Sequence, residues 1–262
     1  MARLRKNFAA MFVAIAAALT IVAAETGPAS ASRAAERAGP NVVLIMTHTT
    51  GYRHESIEVA ASAIAAMARG AGLKAEITDD PARFDEPLSD VRVIALISTT
   101  TRRKDPSTEW LIGRRRDALQ QFIHGGGGIL AVHGAADSHY AWPWYGSMIG
   151  ARFARHPAGT PTGIISRART DHPSLHGLPL HFTHTDEWYS LSDQDPRLHP
   201  LLTLSPASIG EKGSIEVPVS WAREFEGGRV FYSSLGHTNA SWNDQRVLAH
   251  YRGGLMWTAH KD

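Results

Sequence analysis

The sequence predicts an α/β fold with a mostly parallel central sheet. Three observations carry this. Short apolar runs alternate with segments of helical periodicity from residue 41 to residue 133. Glycines fall at the seams between them. With 43% hydrophobic residues over 262 positions, the chain can bury one sizeable core. Alternating strands and helices close most simply as a parallel sheet covered by helices.

The elements follow in order. Asn41 to Thr47 (NVVLIMT) has the unbroken apolar pattern of a fully buried strand. Glu55 to Arg69 places Ile57, Ala60, Ala61, Ile64, Met67 and Ala68 at helical spacing, and Gly70 and Gly72 stop it. Leu73 to Thr78 and Val91 to Ser98 are the second and third strands. Asp105-Pro106 is a helix start, with Trp110, Leu111, Leu119, Phe122 and Ile123 on the buried face. Gly125 to Gly128 closes that helix and opens a fourth strand, Ile129 to His133. A phosphate cradle has the reverse order, strand then glycines then helix, so these glycines are a stop and a tight turn. Further strands are expected at 162–167, 198–204, 215–222 and 229–234, and a last helix at 244–259.

Before the domain, Arg3, Arg5 and Lys6 precede an apolar run, and Ala29-Ser30-Ala31 forms an A-x-A cleavage site. Residues 1–31 therefore read as a secretory signal peptide, residues 32–40 as a flexible arm and residues 41–262 as a single domain. The expected location is secreted or in the cell envelope, with no stable membrane span after cleavage. The leader holds three of the 27 basic residues and one of the 25 acidic ones, so the remainder is balanced in charge. Nothing electrostatic favours nucleic acid, and Arg114-Arg115-Arg116 reads as a solvated helix face. The chain has no cysteine, which excludes disulfides, thiolate metal sites and a thiol nucleophile.

In an open parallel sheet, ligands bind beyond the carboxyl ends of the strands. That rule selects residues 47–56, 98–104, 133–145 and 233–242. His133 stands where a strand must turn sharply, with Gly134, Ala135 and Ala136 leaving room. It is a candidate acid/base or metal ligand, or a packed histidine bonding the backbone. His237, past the last strong strand, has the same options. Ser233 and Ser234 lie near it, but no G-x-S-x-G elbow supports a serine nucleophile. In DEWY (186–189), neighbouring strand residues face opposite ways, so one carboxylate is expected in the site, and Glu187 is the choice.

Arg53 and His54 lie at a helix start that can hold an anionic or hydroxyl-rich ligand. The aromatic run His139 to Tyr145, with Tyr140, Trp144 and Tyr145, and Trp242 in the last selected segment, offer faces for sugar rings or simply pack the core. His156-Pro157 is turn-like. None of the 14 histidines forms a tight zinc signature. A metal site, for zinc or manganese, would have to be assembled at long range from His133, His237 and Glu187.

These stretches together resemble the trehalose-utilisation, ThuA-like family: THTTGYRHESI (47–57), GGGGILAVHGAADSHYAWPWYG (125–146), DHPSLHGLP (171–179), DEWY (186–189), VPVSWAREFEGGRVFYSSLGHT (217–238) and the closing LMWTA. The resemblance implies a flavodoxin-like three-layer α/β/α sandwich related to class I glutamine amidotransferases. Those enzymes carry a cysteine at the elbow, where His133 stands here, so thiolate glutaminase chemistry is not available. The resemblance also implies a role in carbohydrate utilisation. Its motif positions are Arg53, His54, His133, Asp137, Glu187, Tyr189 and His237; His48 departs from the lysine or other polar residue more usual there.

The expected function is an exported enzyme acting on a sugar or keto-sugar derivative. His133, His237 and Glu187 are its catalytic residues, while Arg53, His54, Asp137, Tyr140, Trp144, Tyr145, Tyr189 and Trp242 hold the substrate. An isomerase, lyase or hydrolase fits imidazole acid/base chemistry. Alternatives are a non-catalytic carbohydrate-binding envelope protein and a metal-dependent hydrolase on the same scaffold. The expected partner is a small carbohydrate, with assembly into a homo-oligomer left open.

Overall fold

The computed structural model describes residues 39–262, so the expected leader and the arm up to residue 38 lie outside the described residues. Five parallel strands form one side of the sheet: β1 (Val42–Met46), β2 (Lys74–Thr78), β3 (Val91–Ile97), β4 (Gly128–Val132) and β11 (Gly228–Ser233). Four antiparallel strands extend it: β6 (Thr162–Arg167), β7 (His181–Thr185), β9 (Pro200–Leu204) and β10 (Val217–Phe225). The order is β2-β1-β3-β4-β11-β10-β9-β6-β7. Two short strands, β5 (Arg152–Arg155) and β8 (Ser190–Ser192), pair separately.

Alternation along β1 explains the layers. Val43 and Ile45 face one side, where they meet helices α1 (Ile57–Gly70) and α4 (Gln245–Thr258). Leu44 and Met46 face the other, with residues of α2 (Arg114–His124) and α3 (Pro143–Ile149). A sheet covered on both faces has no polar side, which is why its central strands read as continuous apolar runs. In α1 the buried residues are Ile57, Ala60, Ala61, Ile64, Ala65, Met67 and Ala68, all but Ala65 named by the spacing. Asp244 caps α4 by accepting the Arg246 amide at 2.9 Å.

Three expectations change. The helix start at Asp105-Pro106 is only a 3-10 turn, Pro106–Thr108. Gly113, at φ 51, breaks the path, and α2 begins at Arg114. Trp110 and Leu111 are buried as expected, but from the loop between. The arginine cluster is not one solvated face. Arg115 is held by Asp85 at 2.8 Å and Arg116 by the buried Glu109 at 2.9 Å. No helix among the described residues is long and apolar enough to cross a membrane.

Candidate active site

The carboxyl ends of β1, β3, β4 and β11 meet at one edge of the sheet, and the loops leaving them carry the site. β4 ends at Val132, and His133 turns the chain with φ 45, a left-handed conformation costly for a residue with a Cβ. The neighbours hold it there. The Tyr232 hydroxyl donates to the His133 carbonyl at 3.1 Å. Gly134 lets the corner close, since a Cβ there would lie 2.8 Å from Thr100 Cγ2 and 3.1 Å from His54 Cε1.

His133 is fully buried. Its Nδ1 lies 2.6 Å from the Ser234 carbonyl, which can only accept, so Nδ1 carries the proton. The Nε2 lone pair therefore faces inward. It meets the Tyr189 hydroxyl at 3.1 Å, His237 Nδ1 at 3.2 Å and Glu187 Oε2 at 3.4 Å. His237 Nδ1 is also 3.4 Å from Glu187 Oε2. His54 completes the group: one ligand atom from each of His54, His133, Glu187 and His237 lies within 4.8 Å of all the others. His54 Nδ1 is buried and has no hydrogen-bond partner among the described residues.

Electrostatics favour metal-binding protonation states in His54, His237 and Glu187. Burial, then the neighbouring His133 and His237, push His54 down to about 2. Burial and His133 also lower His237. Both are neutral near pH 7, with lone pairs free. Burial alone would raise Glu187, but the imidazoles of His133, His237 and His156 around it hold it below the usual carboxylate range. It is ionised. Bonds of 2.0–2.1 Å to a tetrahedral zinc place donor atoms about 3.3 Å apart. The separations among His133, His237 and Glu187, 3.2, 3.4 and 3.4 Å, are close to that spacing, and His54 lies within the 4.8 Å of the wider group.

The structure brings other expected residues to the rim. Asp137, at the end of the turn that His133 opens, binds the Tyr140 hydroxyl; burial raises its pKa despite that bond. Arg53 is exposed and paired with Glu58. Three expected substrate contacts are not at the site. The Trp144 indole donates to Glu226 at 2.9 Å, beside the hairpin that opens β11, at the other end of the sheet from His133. Tyr145 is in the core, its hydroxyl on the Ala135 carbonyl at 2.9 Å. Trp242 is buried against Tyr251, its indole on the Gly236 carbonyl at 3.1 Å, so it supports the His237 loop from below.

Three contributors were not read from the sequence. Asp186 enters the site region together with Glu187, because both lie in the loop between β7 and β8, where strand alternation does not apply. His156 Nδ1 comes to 3.2 Å from Glu187 Oε1, through the separate β5 strand that delivers it. Tyr52 is 64% exposed with its ring 4.9 Å from that of His54. An aromatic directly beside Arg53-His54 was the available signal for the last; nothing local marks the other two.

Comparison with known proteins agrees with this architecture. A ThuA-like protein from Bacteroides uniformis is similar, with a TM-score of 0.69 at 22% identity, covering 86% of this chain and 94% of that one. A ThuA-like protein from Parabacteroides merdae gives 0.65 at 18% identity, covering 84% and 90%. A β-galactosidase from Bacillus circulans shares the fold over 30% of its length, at a TM-score of 0.53 and 11% identity. No curated protein matches the sequence. The ThuA family model, described as trehalose utilisation, matches residues 42–258. The chain thus belongs to the ThuA family, which sets it in the context of carbohydrate metabolism.

Proposed function

We propose that this protein is an exported enzyme of carbohydrate metabolism that acts on a sugar or keto-sugar derivative at a divalent cation, zinc or manganese. His54, His133, Glu187 and His237 would hold the cation. The observation that carries the reading is the convergence of one donor atom from each of four side chains, among them His54, whose buried Nδ1 has no hydrogen-bond partner among the described residues. Such a cation polarises carbonyl or hydroxyl oxygens and acidifies bound water.

The chain's own residues supply the rest. The Ser234 carbonyl fixes the tautomer of His133 and aims Nε2 inward. Glu187 contributes the negative charge that neutral imidazoles lack. Asp137, with its raised pKa, is suited to donate or take up a proton beside the cluster, and Tyr140 orients its carboxyl. Tyr52 and Arg53 stand exposed at the rim, where a hydroxyl-rich ligand would enter. The aromatic run argues against a pure binding protein, because Trp142 and Tyr145 are buried and Trp144 lies away from the site.

A second reading has one observation in its favour. His133 Nε2 and His237 Nδ1 are 3.2 Å apart, a distance that also suits a direct hydrogen bond and cation-free acid/base catalysis. Elemental analysis of the purified protein by plasma mass spectrometry separates the two. Near-stoichiometric zinc or manganese, lost in His133→Ala, is the expected result. Protein free of metal that takes up neither ion on addition would leave only the acid/base reading.

A further inference from the structure

We infer that Asp186 is the positioning residue of the site, tying together the two loops that carry Glu187 and His237, and that Ser241 and His184 hold it in place. This rests on the reading of the cluster as a cation site. The sheet itself does not align these loops. Glu187 follows β7 at one edge of the sheet, while His237 follows β11, and β10, β9 and β6 lie between the two strands in the sheet order. Some other contact must set the distance between the two side chains.

Asp186 makes that contact. Its side chain is fully buried. Oδ1 accepts the Glu187 amide at 3.0 Å and the His237 amide at 3.1 Å. Oδ2 accepts the Gly236 amide at 2.7 Å and the Ser241 hydroxyl at 2.8 Å. An ionised carboxylate has about four lone-pair positions, and four donors occupy them. Asp186 is therefore spent on geometry and has no free position for proton transfer. Two of its four donors are the backbone amides of the residues that bear ligand atoms. Moving this one carboxylate would displace Glu187 and His237 together.

A second layer fixes Asp186 in turn. His184 is nearly buried on β7, with Nε2 at 3.5 Å from Asp186 Oδ2 and 3.1 Å from the Ser241 hydroxyl. Its Nδ1 is 3.2 Å from Asp244, the cap of α4. The line from Asp244 through His184 to Asp186 therefore anchors the site to the start of a core helix. Gly236 sits in this arrangement at φ 104, with Trp242 closing the space where a Cβ would go, 2.9 Å away. The loop has one way to present its amides.

Partners that orient ligands typically change metal affinity 10–100-fold when removed. The test is zinc affinity of the full chain, measured by chelator competition with zinc ion alone, beside the melting temperature of the zinc-free protein. Asp186→Asn puts an amide group against an N–H donor and is the severe variant. Ser241→Ala and His184→Gln are milder and keep the test decisive if Asp186→Asn does not fold. We expect Ser241→Ala and His184→Gln to melt near wild type without zinc and to bind zinc roughly 10–100-fold more weakly. Ile64→Val, a core change that removes no partner of Asp186, should keep wild-type affinity. Folded variants of Asp186, Ser241 or His184 that bind zinc within twofold of wild type would overturn the inference. So would Ile64→Val losing affinity as much as they do. Failure of the wild-type protein to take up zinc is a different result, since it overturns the cation reading and this inference with it.

Discussion

At the scale of single residues, the site was half legible. His133 and His237 could be placed because each follows a strong strand, and strand ends are where such sheets bind ligands. Glu187 faces the histidines, but strand alternation does not place it there, because it lies in a loop. The aromatics misled because size and polarity do not say whether a ring is spent on packing. Trp242 and Tyr145 are core residues, and the ring left exposed beside His54 is Tyr52. Its carbonyl is fixed by the Thr100 hydroxyl at 2.7 Å, so the ring stands on a rigid base. A stacked ring contributes roughly 0.5–1.5 kcal/mol beyond its buried area. Tyr52→Ala should therefore weaken binding of a disaccharide such as trehalose by up to about tenfold in calorimetric titration. Tyr52→Trp should retain it. Equal affinity in wild type and Tyr52→Ala would remove Tyr52 from the substrate path.

At the scale of elements, the central strands and the helices α1 and α4 were legible because burial on two faces or one stripe leaves a clear apolar period. Strands β5, β7 and β8 were not, because they are short and partly exposed, and their pairing is decided by distant partners. The false start at Asp105 shows the same limit. A good cap begins a turn, but Gly113 further on decides where the helix runs. Helix α4 holds a case where context reverses propensity. Gly253 lies mid-helix, and replacing such a glycine with alanine ordinarily gains about 1 kcal/mol. Here an added Cβ would sit 2.3 Å from the carbonyl of Pro173, a backbone atom that cannot turn aside. Gly253→Ala should destabilise the protein by about 1–3 kcal/mol, read as a lower urea midpoint with an unchanged slope. A midpoint at or above wild type would mean that the 3-10 turn at Pro173–Leu175 yields easily.

At the scale of the whole molecule, neutral histidines outside the site, His139 and His250 fully buried and His172 partly, shape how stability responds to acid. Burial pushes His139 down to about 3, and burial is the first cause that brings His172 and His250 down to about 4. In the unfolded chain each titrates near its ordinary value of about 6.5. Between pH 6.5 and 4 the unfolded chain therefore binds protons that the fold refuses. By linkage, stability must fall as pH falls through that window. Each fully differential proton contributes up to about 1.4 kcal/mol per pH unit, and the partly exposed His172 contributes less. Below about pH 4, His172 and His250 accept protons in the fold as well, and their share of the loss ends. One group opposes the trend: burial raises Asp137, so the fold gains from its protonation before the unfolded chain does. Carboxylates held low, such as Asp85 at about 2 through Arg115 and Arg114, carry the decline further at still lower pH. Urea midpoints of the zinc-free protein should thus drop steadily from pH 6.5 to 4.5. His250→Gln, which removes a fully buried imidazole from the balance, should shallow that slope. A flat midpoint across the window would mean that these histidines are already protonated in the folded protein, or that local opening lets water reach them at little cost.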